Sequence, residues 1–131
     1  MLFRSKRKEV PLSQLPTSYG IGDIGQHTIH DYESILGKAR TIFVSGPCGI
    51  FENPVFQKGT KDIIGFIADS EAFSIAGGGH TVAAIEKLHL NDKFSHISTG
   101  GGALEKFMMG DKLPVVEALK AAKNRRVVEC R

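Results

Sequence analysis

Two spacings of apolar residues alternate along the chain from residue 26 onward. Ile29, Tyr32, Ile35 and Leu36 recur at helical intervals over residues 26–38, and Gly37 is placed to stop that helix. Residues 41–44, Thr-Ile-Phe-Val, are instead a β-branched and aromatic run of the kind buried on both faces of a parallel sheet. The run empties into residues 45–52, too rich in glycine and proline to be regular. Thr60 is expected to cap a helix carrying Ile63, Ile64, Ile67 and Ala68, with Gly65 as its weak spot. A strand follows over residues 72–76, then a helix over 81–88 with Val82, Ile85 and Leu88 on one face. After an Asn91-Asp92 turn come a strand over 94–98, a helix over 103–109, and a last helix over 115–122 opened by Pro114. Beyond it runs a basic tail that Val127 and Val128 are expected partly to dock. Upstream, the prolines and glycines of residues 9–25 predict an extended segment that can add one short strand but no helix. Strand and helix alternate, so the expected architecture is a parallel three-layer α/β sheet.

Two of the strand-to-helix junctions share one design. Ser74-Ile-Ala-Gly-Gly-Gly-His-Thr-Val-Ala-Ala-Ile85 runs a strand into three glycines and directly into a helix. Phe94-Ser-His-Ile-Ser-Thr-Gly-Gly-Gly-Ala-Leu-Glu105 repeats it one βαβ unit later. Glycines there remove the Cβ atoms that hold a ligand away from the backbone, and the first N–H groups of a helix have no intrahelical partner. The favoured guest is an anion. Ligands of open α/β sheets bind beyond the carboxyl ends of the strands. The glycine-rich loops after Val44, Ala76 and Ser98 should therefore converge on one site.

Composition narrows the class. A chain of 131 residues, 41% hydrophobic and 24% charged, suits one globular domain with a real core but is small for a two-domain enzyme. No apolar run is long enough to span a bilayer, and Lys6, Arg7 and Lys8 stand where a secretory signal would be apolar, so no membrane partner and a cytoplasmic address are expected. Cys48 and Cys130 are far apart and read as free thiols. The formal charge of +3 gathers at the ends, in Arg4, Lys6, Arg7 and Lys8 and in Lys120, Lys123, Arg125, Arg126 and Arg131. Aromatic residues do not interleave these, so no nucleic-acid partner is expected. His27, His30, His89 and His96 lack acidic partners at ligand spacing and predict no metal site; Met108 and Met109 read as core or loop filling.

Taken together, Ser45-Gly-Pro-Cys-Gly-Ile-Phe-Glu52, Gly77-Gly-Gly-His-Thr-Val-Ala-Ala84 and Ser95-His-Ile-Ser-Thr-Gly-Gly-Gly-Ala103 resemble the carboxyl-terminal part of phosphoglycerate kinase. Asp23-Ile-Gly25, Gly59-Thr60 and Lys112-Leu-Pro-Val-Val-Glu-Ala-Leu119 fall in the same register. The likeness implies a Rossmann-like α/β fold, with residues 1–131 a partial copy of the family's carboxyl-terminal, nucleotide-binding domain. It also implies reversible phosphoryl transfer between 1,3-bisphosphoglycerate and ADP in glycolysis and gluconeogenesis, with ATP/ADP and Mg2+ as cofactors. The amino-terminal triose-binding domain is not matched, so 3-phosphoglycerate is expected as a partner only when that domain is supplied, and the chain alone is expected to be inactive.

The resemblance also assigns residues. Glu52 matches the glutamate that accepts hydrogen bonds from the ribose hydroxyls. Gly77, Gly78 and Gly79 match backbone that approaches the transferring phosphoryl group, and Thr81 matches a hydroxyl that reaches the nucleotide phosphates. Gly100, Gly101 and Gly102 match a second helix start that stabilises the phosphoryl group in flight. Gly78, Gly79, Gly101 and Gly102 are thus the expected catalytic backbone. Ser45 stands where asparagine is usual, which keeps a hydrogen-bonding hydroxyl. His80 stands where the common pattern has an aspartate that helps hold the metal, and histidine there resembles archaeal members. Imidazole is a poor magnesium ligand, so this chain is expected to supply no metal ligand, and His80 is expected to give its N–H or charge to a phosphate oxygen. A non-catalytic nucleotide-binding module, or half of a two-chain enzyme, is the competing reading. An incomplete sheet should also leave an apolar edge through which the chain self-associates.

Overall fold

The β-branched and aromatic runs pair as the two alternating spacings require. The computed structural model describes residues 7–129, with side chains through residue 123. In chain order its elements are α1 (Gln26–Leu36), β1 (Thr41–Ser45), α2 (Lys58–Asp69), β2 (Phe73–Gly77), α3 (Gly79–Lys87), β3 (His96–Ser98), α4 (Gly101–Met108) and α5 (Pro114–Glu129). The three strands form one parallel sheet in the order β1-β2-β3, with Ser45, Gly77 and Ser98 in register at its carboxyl end. This is the expected α/β architecture. The expected docking of Val127 and Val128, the charges of Arg4, Lys6, Arg125, Arg126 and Arg131, and Cys130 lie outside the described residues and side chains.

Strand period sends alternate side chains to opposite faces. Ile42, Val44, Ala76 and Ile97 face one way, into a core that also holds Ile29 of α1, Ile63, Ile64 and Ile67 of α2, and Ala84 and Ile85 of α3. Helices α1, α2 and α3 therefore cover one face. On the other, Leu104 of α4 lies against Gly77 beside Phe43, and α4 covers only the carboxyl end of β2. The expectation that residues 41–44 are buried on both faces is corrected here: Phe43 is 37% exposed and its neighbour Phe73 55%. The outer edge of β1 has no partner strand among the described residues.

Other boundaries moved for identifiable reasons. Thr60 is not a cap but lies fully buried inside α2, which begins two residues earlier. The α2 start is held from a distance: the Asp23 carboxylate accepts the Gly59 N–H at 2.9 Å. Strand β3 begins at His96 rather than residue 94 because Phe94 turns into the core and Ser95 exchanges N–H···Oγ bonds with Ser74 at 3.1 and 3.2 Å. Helix α1 buries Ile29, but Tyr32 and Ile35 of its expected inner face are exposed. The proline-punctuated segment holds a 3-10 turn at Leu12–Gln14 and no strand among residues 7–25. Helix α5 continues past residue 122 to Glu129, with Lys120 paired to Glu117 at 2.9 Å.

Candidate functional site

The two glycine turns meet. A Cβ built on Gly101 would lie 3.0 Å from the Cα of Gly78, so tight that the facing backbone would have to give by a few tenths of an ångström. The starts of α3 and α4 are thereby brought side by side at the carboxyl end of the sheet, where the Gly78 N–H donates to the Ser98 carbonyl at 3.1 Å. Gly78 holds φ 92° and ψ 144°, a left-handed conformation open to glycine, and so swings the chain from β2 into α3. Among the described residues Gly79 and Gly102 have nothing within 4 Å of where a side chain would stand, and both are exposed. Bare backbone of both helices therefore faces solvent at one point. Neither helix has a side-chain cap on its first N–H groups; the Gly101 N–H is taken by the Thr99 carbonyl at 3.1 Å, and the donors that follow it in α4, with those that open α3, and the positive helix ends are left to an anion. Gly77 instead is buried, its missing Cβ giving room to Leu104 and Phe43.

Glu52 and His80 come together at the same mouth. Phe51 is buried under the Lys87 ammonium, which sits 4.7 Å from its ring centroid, so the loop after β1 is pinned along α3 and Glu52 emerges beside the helix start. His80 Nδ1 lies 3.7 Å from Glu52 Oε1, with both side chains largely in solvent. At that exposure the pair contributes little stability and leaves both groups free to meet a ligand.

Two hydroxyls have partners that the sequence did not indicate. Thr81 has no exposed surface, and its Oγ1 accepts the Gly46 N–H at 2.6 Å. Ser45 Oγ donates to Glu105 Oε1 at 2.8 Å, tying the end of β1 to α4. A signal for Glu105 was present, since it follows Gly101 by one helical turn and helical side chains lean toward the helix start.

Behind the loop, Asp23 is 2% exposed and accepts both the Ile24 N–H and the Gly59 N–H at 2.9 Å, with Arg7 Nη1 at 3.8 Å. Cys48 N–H donates to Thr60 Oγ1 at 3.0 Å. Burial, and then the negative charge of Asp23, push the free Cys48 thiol above its ordinary range, so it stays protonated near neutral pH. Among the described residues no three histidine, cysteine or acidic side chains converge as metal ligands, and no helix is long and apolar enough to cross a membrane.

Comparison with known proteins gives this geometry a family. The family model for phosphoglycerate kinase matches residues 2–111. Phosphoglycerate kinase of Thermoplasma volcanium is 47% identical over 110 residues, which cover 84% of this chain and 27% of that protein. The enzyme of Methanococcus maripaludis is 48% identical over 112 residues, 86% of this chain and 27% of its own length. The crystal structure of phosphoglycerate kinase from Pyrococcus horikoshii superposes with a TM-score of 0.70 at 47% identity, covering 82% of this chain and 26% of that one. The chain thus spans under a third of the length of the relatives it matches, and these relatives are archaeal, as the histidine at position 80 led us to expect. On both the sequence match and the shared fold, the chain belongs to the phosphoglycerate kinase family.

Proposed function

We propose that this chain forms the nucleotide side of a phosphoglycerate kinase site, taking the ribose of ADP or ATP at Glu52 and the phosphates at the two glycine turns. The observation that carries the reading is the contact of Gly101 with Gly78, which puts two uncapped helix starts at one point. Phosphoryl transfer asks little covalent chemistry of a protein; positioning and stabilisation of charge dominate. The free N–H groups at the starts of α3 and α4 supply fixed positive ends for the phosphate oxygens, and Gly79 and Gly102 allow close approach. Glu52 accepts from the ribose hydroxyls and so sets the nucleotide along the mouth. His80, beside it, donates its N–H to a phosphate oxygen. A magnesium ion is the family's usual companion of the nucleotide, but an imidazole at residue 80 does not fit it. In this chain, charge neutralisation falls to the helix starts and His80.

Isothermal titration tests this directly. ADP is expected to bind the folded chain, and to bind at least as well in EDTA as with magnesium; His80→Asp should reverse that preference. Absence of heat at millimolar ADP would remove the reading. The other substrate, 3-phosphoglycerate, needs a triose-binding domain, so a coupled assay on this chain alone should show no turnover.

One observation favours a second reading, in which the chain acts as one half of a two-part enzyme. Phe43 and Phe73 stand exposed on a sheet face that three-layer folds normally cover, next to the edge of β1, which has no partner strand among the described residues. The expected result is that a polypeptide carrying the remaining part of a family member co-purifies with this chain and restores activity, and that without it the chain self-associates. Sedimentation of a concentration-independent monomer would count against the self-association, and a mixture that stays separate and inactive against the half-enzyme.

A further inference from the structure

We infer that Thr81 is a positioning residue: its hydroxyl latches the loop that carries Glu52 to the phosphate turn, setting the distance between the ribose end and the phosphate end of the site. The inference rests on the nucleotide reading above, and it gives Thr81 a different task from the phosphate contact that family resemblance suggests.

Three observations converge on it. Thr81 is wholly buried, and its Oγ1 accepts the Gly46 N–H at 2.6 Å. Gly46 itself holds φ 89°, at the bend where the chain leaves β1 for the segment that ends at Glu52. Its N–H is the donor of that bend, and a side chain from α3 rather than the sheet ladder satisfies it. The adjacent residue makes a companion tie, Ser45 Oγ to Glu105 of α4 at 2.8 Å, and a Cβ on Gly78 would lie within 3.9 Å of Ser45 Oγ and 4.0 Å of Thr81 Oγ1. The bend after β1 is thus fastened at successive residues to the first turn of α3 and, one turn in from its start, to α4. At the far end, Phe51 under Lys87 fixes the same segment along α3. A segment held at both ends presents Glu52 at a set reach from the two turns; released at Gly46, it would pivot about Phe51.

The test compares Thr81→Val, which keeps the shape and removes the acceptor, with Thr81→Ser, which restores it. Two readouts are taken: amide hydrogen exchange over residues 46–52 without ligand, and calorimetric affinity for ADP and for pyrophosphate, which lacks the ribose. In Thr81→Val, exchange at Gly46 should rise and ADP affinity fall by about fivefold each, the loss of one hydrogen bond. Pyrophosphate affinity should stay within about twofold, because the turns themselves are untouched. Thr81→Ser should recover both. Equal losses for ADP and pyrophosphate would mean that Thr81 touches phosphate directly and would overturn the latch, as would unchanged protection over 46–52. If wild type binds neither ligand, the nucleotide reading falls while the exchange arm still decides the latch. If Thr81→Val does not fold, wild-type exchange decides instead: a Gly46 amide as fast as an exposed loop amide overturns the proposal.

Discussion

Gly79→Ala is expected to stabilise the fold and to weaken ADP binding, two effects of opposite sign from one methyl group. The stabilising part follows from local structure. Gly79 opens α3, no atom of the described residues lies within 4 Å of where its Cβ would stand, and its backbone is not left-handed. Alanine there removes unfolded-state freedom at no steric cost, worth about 0.5–1 kcal/mol. The weakening follows only if the open space is where a phosphate comes to the backbone. A methyl there holds the oxygens off the helix start, and losing one charge-assisted bond costs about 1.5–3 kcal/mol, or at least tenfold in affinity. Gly102→Ala should behave alike, since its surroundings are equally open. Gly78→Ala should not: at φ 92° and ψ 144° a side chain is strained by about 1–3 kcal/mol, so stability and binding fall together. Thermal melts paired with ADP titrations separate the cases. A Gly79→Ala protein that gains stability and binds ADP as wild type does would show that the gap at α3 is only a tight turn.

The two glycine turns were legible because their chemistry is local: a strand, three glycines and a helix are contiguous in the chain. That they would touch followed from a parallel sheet, in which both turns leave the same end. That Glu52 and His80 serve one nucleotide was legible only through the family pattern, and that they stand side by side was not legible at all, since nothing in the spacing of residues 52 and 80 says that Phe51 pins the loop along α3. The helix at Lys58–Asp69 shows why boundaries escape local reading. Thr60 has the chemistry of a cap and comes just before the apolar run, yet the group that holds the helix start is the carboxylate of Asp23, thirty-six residues earlier in the chain. Thr60 is then free to go inside and receive the Cys48 N–H. Thr41–Ser45 shows a different limit. Its composition is that of a strand covered on both sides, and composition cannot say whether the covering elements lie among these residues.

The same distant carboxylate yields the other large expected effect. Asp23→Ala should lower the unfolding free energy by about 3 kcal/mol, because it strands buried donors rather than merely deleting a contact. The Ile24 and Gly59 N–H groups each lose a 2.9 Å acceptor, and the Arg7 guanidinium, whose other bonds go to the Ile24 carbonyl at 3.2 Å and to Glu9 at 3.0 Å, loses its buried counter-charge. Water cannot easily replace the carboxylate, since Asp23 is 2% exposed and fills the gap between Gly49 and Gly59. Asp23→Asn, which keeps an acceptor oxygen, should lose less. Urea unfolding followed by circular dichroism measures both, and an Asp23→Ala midpoint within error of wild type would contradict this account of the α2 start. A second readout is independent of unfolding. In a Cys130→Ser background, removing the Asp23 charge should bring the Cys48 thiol down toward its ordinary range without reaching it, because burial is the larger cause of its elevation and remains. Thiol alkylation followed against pH should then rise at lower pH in Asp23→Asn than in wild type. Were the two profiles to coincide, Asp23 would not be acting on the loop that leads to Glu52, and the tie between the α2 start and the mouth of the site would have to run through packing alone.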